Sequence, residues 1–265
     1  MIIEDTYDLL KRQHPEMPEV SIDNVCVGQY LTAVRLSNGG VGVASSLEDE
    51  HPFCSKKERD FGDFTPLNIK GKTLKSLFET EKNSKLIFSL RIAALNAVSS
   101  FLIDSGKYRV IEDRDPLDLV DLGKSRTITV VGAFQTYITR LAETSNRLYV
   151  LEFNENSFKP EHKKYYVNAS EYRKIIPESD VVVITGQTLV NNTLEGLLKV
   201  TRKGSEVIVT GPSGSMIPDI LFGLGVSIIG GMRITDPDLA FNVVSQAGMG
   251  YHLFRYCARK ICITQ

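Results

Sequence analysis

Apolar and polar positions change rhythm along this chain. From Ile3 to His14 they follow a helical period, with acids and bases between the apolar residues. From Ser21 to Ser46 they alternate around Asn38-Gly39-Gly40, residues that tolerate positive φ in a tight hairpin, so antiparallel strands are expected there. Glu48 to Gly71 keeps neither period and contains Pro52, Gly62 and Pro66; Phe53, Phe61 and Phe64 favour a folded-over loop over a solvated one. Lys85 to Asp104 predicts one long helix, apolar on nearly every face and therefore covered by other elements. Ser89, Ala93, Asn96 and Ser100 give that helix a small, polar edge, suited to face a ligand or the other half of the molecule.

A different rhythm follows. Gly106 to Lys124 is charged, contains Pro116 and reads as a connector, dividing the chain into 1–115 and 116–265. Beyond Arg126, the β-rich runs Thr127-Val131, Leu148-Phe153, Val181-Thr185, Glu206-Thr210 and Val226-Ile229 alternate with helical stretches. Such alternation predicts an α/β fold, a Rossmann-like parallel sheet with helices on both faces, preceded by a smaller α+β half.

Ligands of such sheets bind beyond the carboxyl ends of the strands. The segments there are Gly132-Ala133-Phe134, Glu152-Phe153-Asn154, Thr185-Gly186-Gln187-Thr188, Gly211-Pro212-Ser213 and Gly230-Gly231-Met232. Asn192 with Glu195 suits a capping box, and Asp236-Pro237 a capped helix start, where free amides can hold an anion; glycines after strands are also needed simply to turn the chain. Glu152 lies 20 residues after Gly132, near the spacing of a ribose-binding carboxylate. Phe134 and Tyr137, however, stand where a pyrophosphate needs bare backbone, which argues against NAD. Adenosine held by Glu152 without a pyrophosphate survives that objection, beside the plainer reading of a solvated strand-end acid. In Glu48-Asp49-Glu50-His51-Pro52-Phe53-Cys54, His51 and Cys54 are candidate ligands for a transition metal ion such as zinc, although His-x-x-Cys also occurs by chance. Asn96, inside an apolar helix, needs partners, either neighbouring backbone or a ligand in an interdomain cleft. No Ser-His-Asp order, H-E-x-x-H, Walker loop or G-x-S-x-G elbow is present.

Composition narrows the partners. Thirty-one basic residues against thirty-two acidic give a net charge of -1, so no overall field draws the chain to nucleic acid or to an anionic membrane. The uncharged run Ile220 to Met232 is 13 residues long and broken by four glycines, short of a spanning helix. The N-terminus lacks a basic region and an apolar core, which predicts a cytoplasmic protein, and the four cysteines form no C-x-x-C pair.

Thr185 to Thr193, including Asn191, together with Gly211-Pro212-Ser213, Pro218, Gly225, Gly230, Asp236 and Leu95-Asn96-Ala97, resembles the putative heavy-metal chelation family. The resemblance implies an N-terminal domain similar to that of enolases, a Rossmann-like second domain, and a pocket between them lined by Asn96, Thr185, Gly186, Thr188, Gly211 and Ser213. Taken with the strand-end loops, it leads to the expectation of a protein that binds a small anionic or metal-chelating molecule between its two domains, with Glu48 to Gly71 covering the site. Enolase chemistry does not follow, since its barrel domain is absent and a shared fold licenses no shared function. Two rivals stand beside this reading: a transferase or lyase using an adenosine-containing cofactor, and a non-catalytic interaction subunit. A homo-oligomer is compatible with each.

Overall fold

The computed structural model describes residues 1–46, 62–123 and 125–265. The helix α1 (Ile2–Gln13) buries Ile2, Ile3, Tyr7 and Leu10, its one apolar stripe. Three antiparallel strands follow: β1 (Ile22–Val27), β2 (Leu31–Leu36) and β3 (Val41–Ser45). The turn between β2 and β3 is closed by the Asn38 side chain, which accepts from the Gly40 amide at 3.1 Å. Of the expected loop Glu48 to Gly71, residues 48–61 lie outside the described residues; Gly62–Phe64 forms a 3-10 turn with Phe64 buried.

After α2 (Leu74–Glu79), the long helix α3 (Lys85–Ile103) lies across β2 and β3. It is long and apolar enough to cross a membrane by composition, yet 72% of that window is buried inside the molecule. Gly42 permits the close approach, because a Cβ there would stand 2.1 Å from the Ala93 carbonyl oxygen. The small, polar edge of α3 meets β3: Ser89 Oγ donates to the Ser45 carbonyl at 2.9 Å, and Asn96 Nδ2 to the Val43 carbonyl at 2.8 Å.

The second sheet begins earlier than the connector reading allows. Arg109–Glu112, expected in a linker, is strand β4. It is followed by β5 (Thr127–Val131), α4 (Gln135–Ala142), β6 (Arg147–Glu152), β7 (Tyr166–Asn168), α5 (Tyr172–Ile175), β8 (Val181–Thr185), α6 (Gln187–Val190) and α7 (Leu194–Leu198). Next come β9 (Glu206–Thr210), α8 (Asp219–Gly223), β10 (Ile228–Ile234), α9 (Pro237–Ser245), α10 (Gly250–Tyr256) and β11 (Ala258–Thr264). The eight strands run β4-β11-β10-β9-β8-β5-β6-β7. From β7 to β10 they are parallel, while β11 is antiparallel to both β10 and β4. The tail from Tyr251 therefore packs on this sheet through β11.

Gly230-Gly231-Met232, read as a loop after the last strand, lies inside β10 and pairs with β11. A Cβ on Gly230 would stand 2.3 Å from Pro116 Cγ and 2.6 Å from Thr210 Oγ1, so packing, not turning, requires this glycine. The capping box at Asn192 is likewise absent: α7 starts from Thr193 without a side-chain cap, and Asn191 Oδ1 takes the Thr193 amide at 3.2 Å.

Strand residues alternate between two cores. Val182, Ile184, Val207 and Val209 pack on one face in a cluster shared with α1 and α3. Val181, Val183, Ile128, Val130 and Ile208 pack on the other, with Ile138 and Leu141 of α4. Burial on both faces explains the unbroken apolar runs. A third cluster joins Leu31, Ala33 and Val43 to Val244 of α9 and Leu253 of α10, holding the small sheet between α3 and these helices. Each fully buried Leu, Ile or Val adds roughly 1.5–3 kcal/mol.

Candidate functional site

The order of the parallel strands reverses between β5 and β8, the switch point at which a crevice opens beyond the carboxyl ends. Three confluent cavities occupy that edge. The β6 lobe, about 320 Å³, lies over the ends of β5, β6 and β8, between Phe153, Ala169, Tyr172 and Leu197. A central lobe of about 330 Å³ shares Gly132, Glu152, Thr185 and Gln187 with it, and its facing wall comes from the small sheet, through Tyr30, Leu31, Ser45 and Ser46. The β10 lobe, about 380 Å³, shares Phe134, Gly211, Pro212 and Gly250 with the central lobe and extends to Asp115, Tyr137, Thr210 and Lys260.

Backbone forms much of the floor. Gly132 has φ +103 and would place a Cβ 3.2 Å from Thr185 Cγ2, so a side chain there would be both strained and in the way. The Glu152 carboxylate is held by three amides: Ala133 at 3.2 Å on Oε2, Phe153 at 2.8 Å and Asn154 at 3.2 Å on Oε1. Beside it Phe153 is 74% exposed at the rim of the β6 lobe. Thr188, also in this lobe, is buried and donates its hydroxyl to the Thr185 carbonyl at 2.6 Å. Asn191 spends its Oδ1 on the Thr193 hydroxyl and amide.

Of the candidates named from the sequence, Gly132, Phe134, Glu152, Thr185 and Gly186 line the cleft, as do Thr188, Asn191, Gly211 and Pro212. Asn96 and Ser213 sit behind its wall. Asn96 Nδ2 also donates to the Pro212 carbonyl at 3.1 Å, and Ser213 Oγ accepts the Ser45 amide at 2.9 Å. With Ser99 Oγ accepting the Ile217 amide at 2.9 Å, these bonds sew the chain after β9 to α3 and β3. Asp236 lies apart from the cleft, since its side chain caps α9 by accepting the Leu239 amide at 3.0 Å, placing a carboxylate where an anion would otherwise bind.

The β10 lobe holds residues that the sequence reading did not name as ligand contacts. Lys260 Nζ lies 3.0 Å from Asp115 Oδ2, and the Tyr137 hydroxyl sits beside Asp115 and Thr210. Burial, reinforced by Asp115, pushes the Tyr137 phenol far above its ordinary value, so it remains a neutral donor. Behind the lobe, burial with Asp115 and Asp118 pushes the Cys262 thiol up to about 12; it donates to the Arg114 carbonyl at 3.2 Å and is no nucleophile at neutral pH. These residues come from four distant stretches, and no local motif marks them.

His51 and Cys54 lie outside the described residues. Among the described residues no three His, Cys, Asp or Glu side chains converge as a metal centre would require.

Comparison with known proteins places this architecture. Residues 115–263 match the DUF364 family model and residues 7–99 the DUF4213 model, both described as "Putative heavy-metal chelation". An uncharacterized protein of Methanocaldococcus jannaschii is 25% identical over 98% of this chain and 96% of its own length. Two solved DUF364 proteins of unknown function share the fold. The one from Pyrococcus horikoshii has TM-score 0.77 and 21% identity over 100% of this chain and 98% of its own. That from Desulfitobacterium hafniense has TM-score 0.75 and 22% identity over 99% and 100%.

Proposed function

The chain belongs to the family described as "Putative heavy-metal chelation", and from that premise we propose that it binds a small anionic or metal-chelating molecule in the cleft between its two sheets. One observation carries the reading: the confluent cavities open at the switch point of the parallel sheet, and the central lobe takes its facing wall from Tyr30, Leu31, Ser45 and Ser46 of the small sheet. A metal enters this reading as cargo held by the ligand's own donor atoms. The apolar sides of the β6 lobe suit a ring or short chain, and the open backbone of the central lobe suits a polar group.

Native mass spectrometry with elemental analysis, on protein purified without chelator, tests the proposal. Gln187 is exposed and borders both the β6 and central lobes, so Gln187→Trp fills them without touching the core. The expected result is a small mass released from the wild type on denaturation and missing from a folded Gln187→Trp. The same mass in both proteins, or none in either, overturns the reading.

A narrower version has its own support. The exposed Phe153 ring next to Glu152 suits a nucleoside, base on the ring and ribose toward the carboxylate. Calorimetry with adenosylmethionine and with NAD decides it, and silence with both removes the nucleoside while leaving the cleft.

A further inference from the structure

Charge is distributed unevenly along the cleft. Among the described residues that line the β6 and central lobes, Glu152 is the single charged side chain, and no lysine, arginine or histidine is present. The β10 lobe instead counts Arg114, Lys260 and one carboxylate, Asp115, among its lining residues, for a net charge of +1. Two features make this more than a surface ion pair. Asp115 and Lys260 are held at 3.0 Å with side chains 20% and 45% exposed, so the lysine is fixed at the wall yet still faces solvent. Arg114 is exposed, and its described electrostatic partner is Asp118, a carboxylate already bound by Arg140 at 2.7 Å.

The neutral groups agree in sign. Tyr137, 7% exposed, lines the same lobe as a phenol that stays protonated. The first turn of the eight-residue helix α4 borders the lobe through Gln135, Thr136 and Tyr137, and no side chain caps it. Its open amides add positive potential to the side chains' field. Asp115 limits the total, keeping the pair from acting as two free cations.

We infer that the β10 lobe seats the anionic group, a carboxylate or a phosphate, of the molecule bound in the cleft, with Arg114 as the side chain that grips it. This rests on the cleft reading and adds an orientation: acid toward Arg114, uncharged body toward Phe153. The guanidinium fork matches either oxyanion in two parallel hydrogen bonds. The plain alternative is that Lys260 and Asp115 only tie β11 to the chain before β5 and that Arg114 is solvated.

Titration of the whole chain with inorganic phosphate and, separately, with succinate at low ionic strength tells these apart, read by calorimetry and by amide shifts of Gln135 to Tyr137. The wild type is expected to bind at least one, and the preferred one identifies the source of the negative charge. Arg114→Gln is expected to weaken binding about tenfold or more, the loss of one charged bidentate contact. Asp115→Asn moves the other way and tightens it, a gain that general loosening of the fold does not produce. Arg12→Gln, on α1 and away from the cleft, leaves it unchanged. Binding of neither anion, or equal binding by Arg114→Gln, overturns the inference. Gln187→Trp separates the two readings: anion binding that survives in this variant, while no small mass is found in the wild type, sinks the cleft proposal and leaves the anion subsite standing.

Discussion

The two ends of the cleft carry their charged groups by opposite means. At the β6 end Glu152 is held by the amides of Phe153 and Asn154, its own successors in the chain, and by Ala133. At the β10 end Lys260 meets Asp115 across a sequence separation of 145. A carboxylate with about four acceptor sites that already takes three amides has little left to offer a ligand. Lys260 and Arg114 carry donors that their described partners do not exhaust. The group most visible in the sequence is therefore the most satisfied, and the groups freest to act are assembled by the fold.

That contrast breaks most easily at the β10 end, where assembly depends on packing between distant stretches. Gly230→Val is expected to have the largest effect: its side chain would enter the space of Pro116 and Thr210, costing about 3 kcal/mol or more and separating Asp115 from Tyr137. Urea unfolding measures the loss, and a cost under about 1 kcal/mol would mean that β10 and the 3-10 turn Pro116–Leu119, which carries Pro116 against it, shift freely. Tyr137→Phe removes a hydroxyl beside a carboxylate and is expected to cost about 2 kcal/mol. If thermal unfolding shows no change for this variant, the β10 cluster is loosely held and resembles the β6 end.

Legibility followed the same division. The strands β5, β8 and β9 could be read to the residue, since burial on both faces makes each a run of β-branched residues. β4 and β11 could not, because Arg109, Glu112, Arg259 and Lys260 interrupt their apolar pattern at exposed positions. Gly230-Gly231 has the composition of a turn and the conformation of a strand, a choice made by Pro116 and Thr210, which no local rule includes. Position after a strand was enough to find Gly132, Thr185 and Gly211, whereas Asp115, Tyr137 and Lys260 share the β10 lobe only once the sheet is ordered. Asn96 announced a need for partners but not which ones, and they proved to be carbonyls of β3 and of the chain after β9.

Between the two ends, Asn96 joins the wall to the floor. Asn96→Ala leaves the Val43 and Pro212 carbonyls without this donor in a buried setting and is expected to cost about 1–3 kcal/mol. Because the side chain lies behind the cleft, any weakening of ligand binding should follow the loss of stability. Added stabilising osmolyte should therefore restore binding in Asn96→Ala and not in Gln187→Trp. Recovery in both, or in neither, would remove the distinction between seam and site.

The smallest effect is expected at Glu152. Glu152→Gln keeps one carbonyl oxygen for the Phe153 and Asn154 amides and turns an NH₂ toward Ala133, or the reverse, so one to two of the three bonds are lost. The site is open to solvent, and water can replace what is lost, which limits the cost to about 1 kcal/mol. Hydrogen exchange of the Ala133, Phe153 and Asn154 amides should quicken while exchange in β5 and β8 stays the same. A loss near 3 kcal/mol, with faster exchange along those strands, would make Glu152 a fastener of the sheet rather than a strand-end residue. Local exchange together with abolished binding of adenosylmethionine, in a protein that still takes phosphate at the β10 lobe, would instead make Glu152 the recognition group of its end and leave the two ends independent.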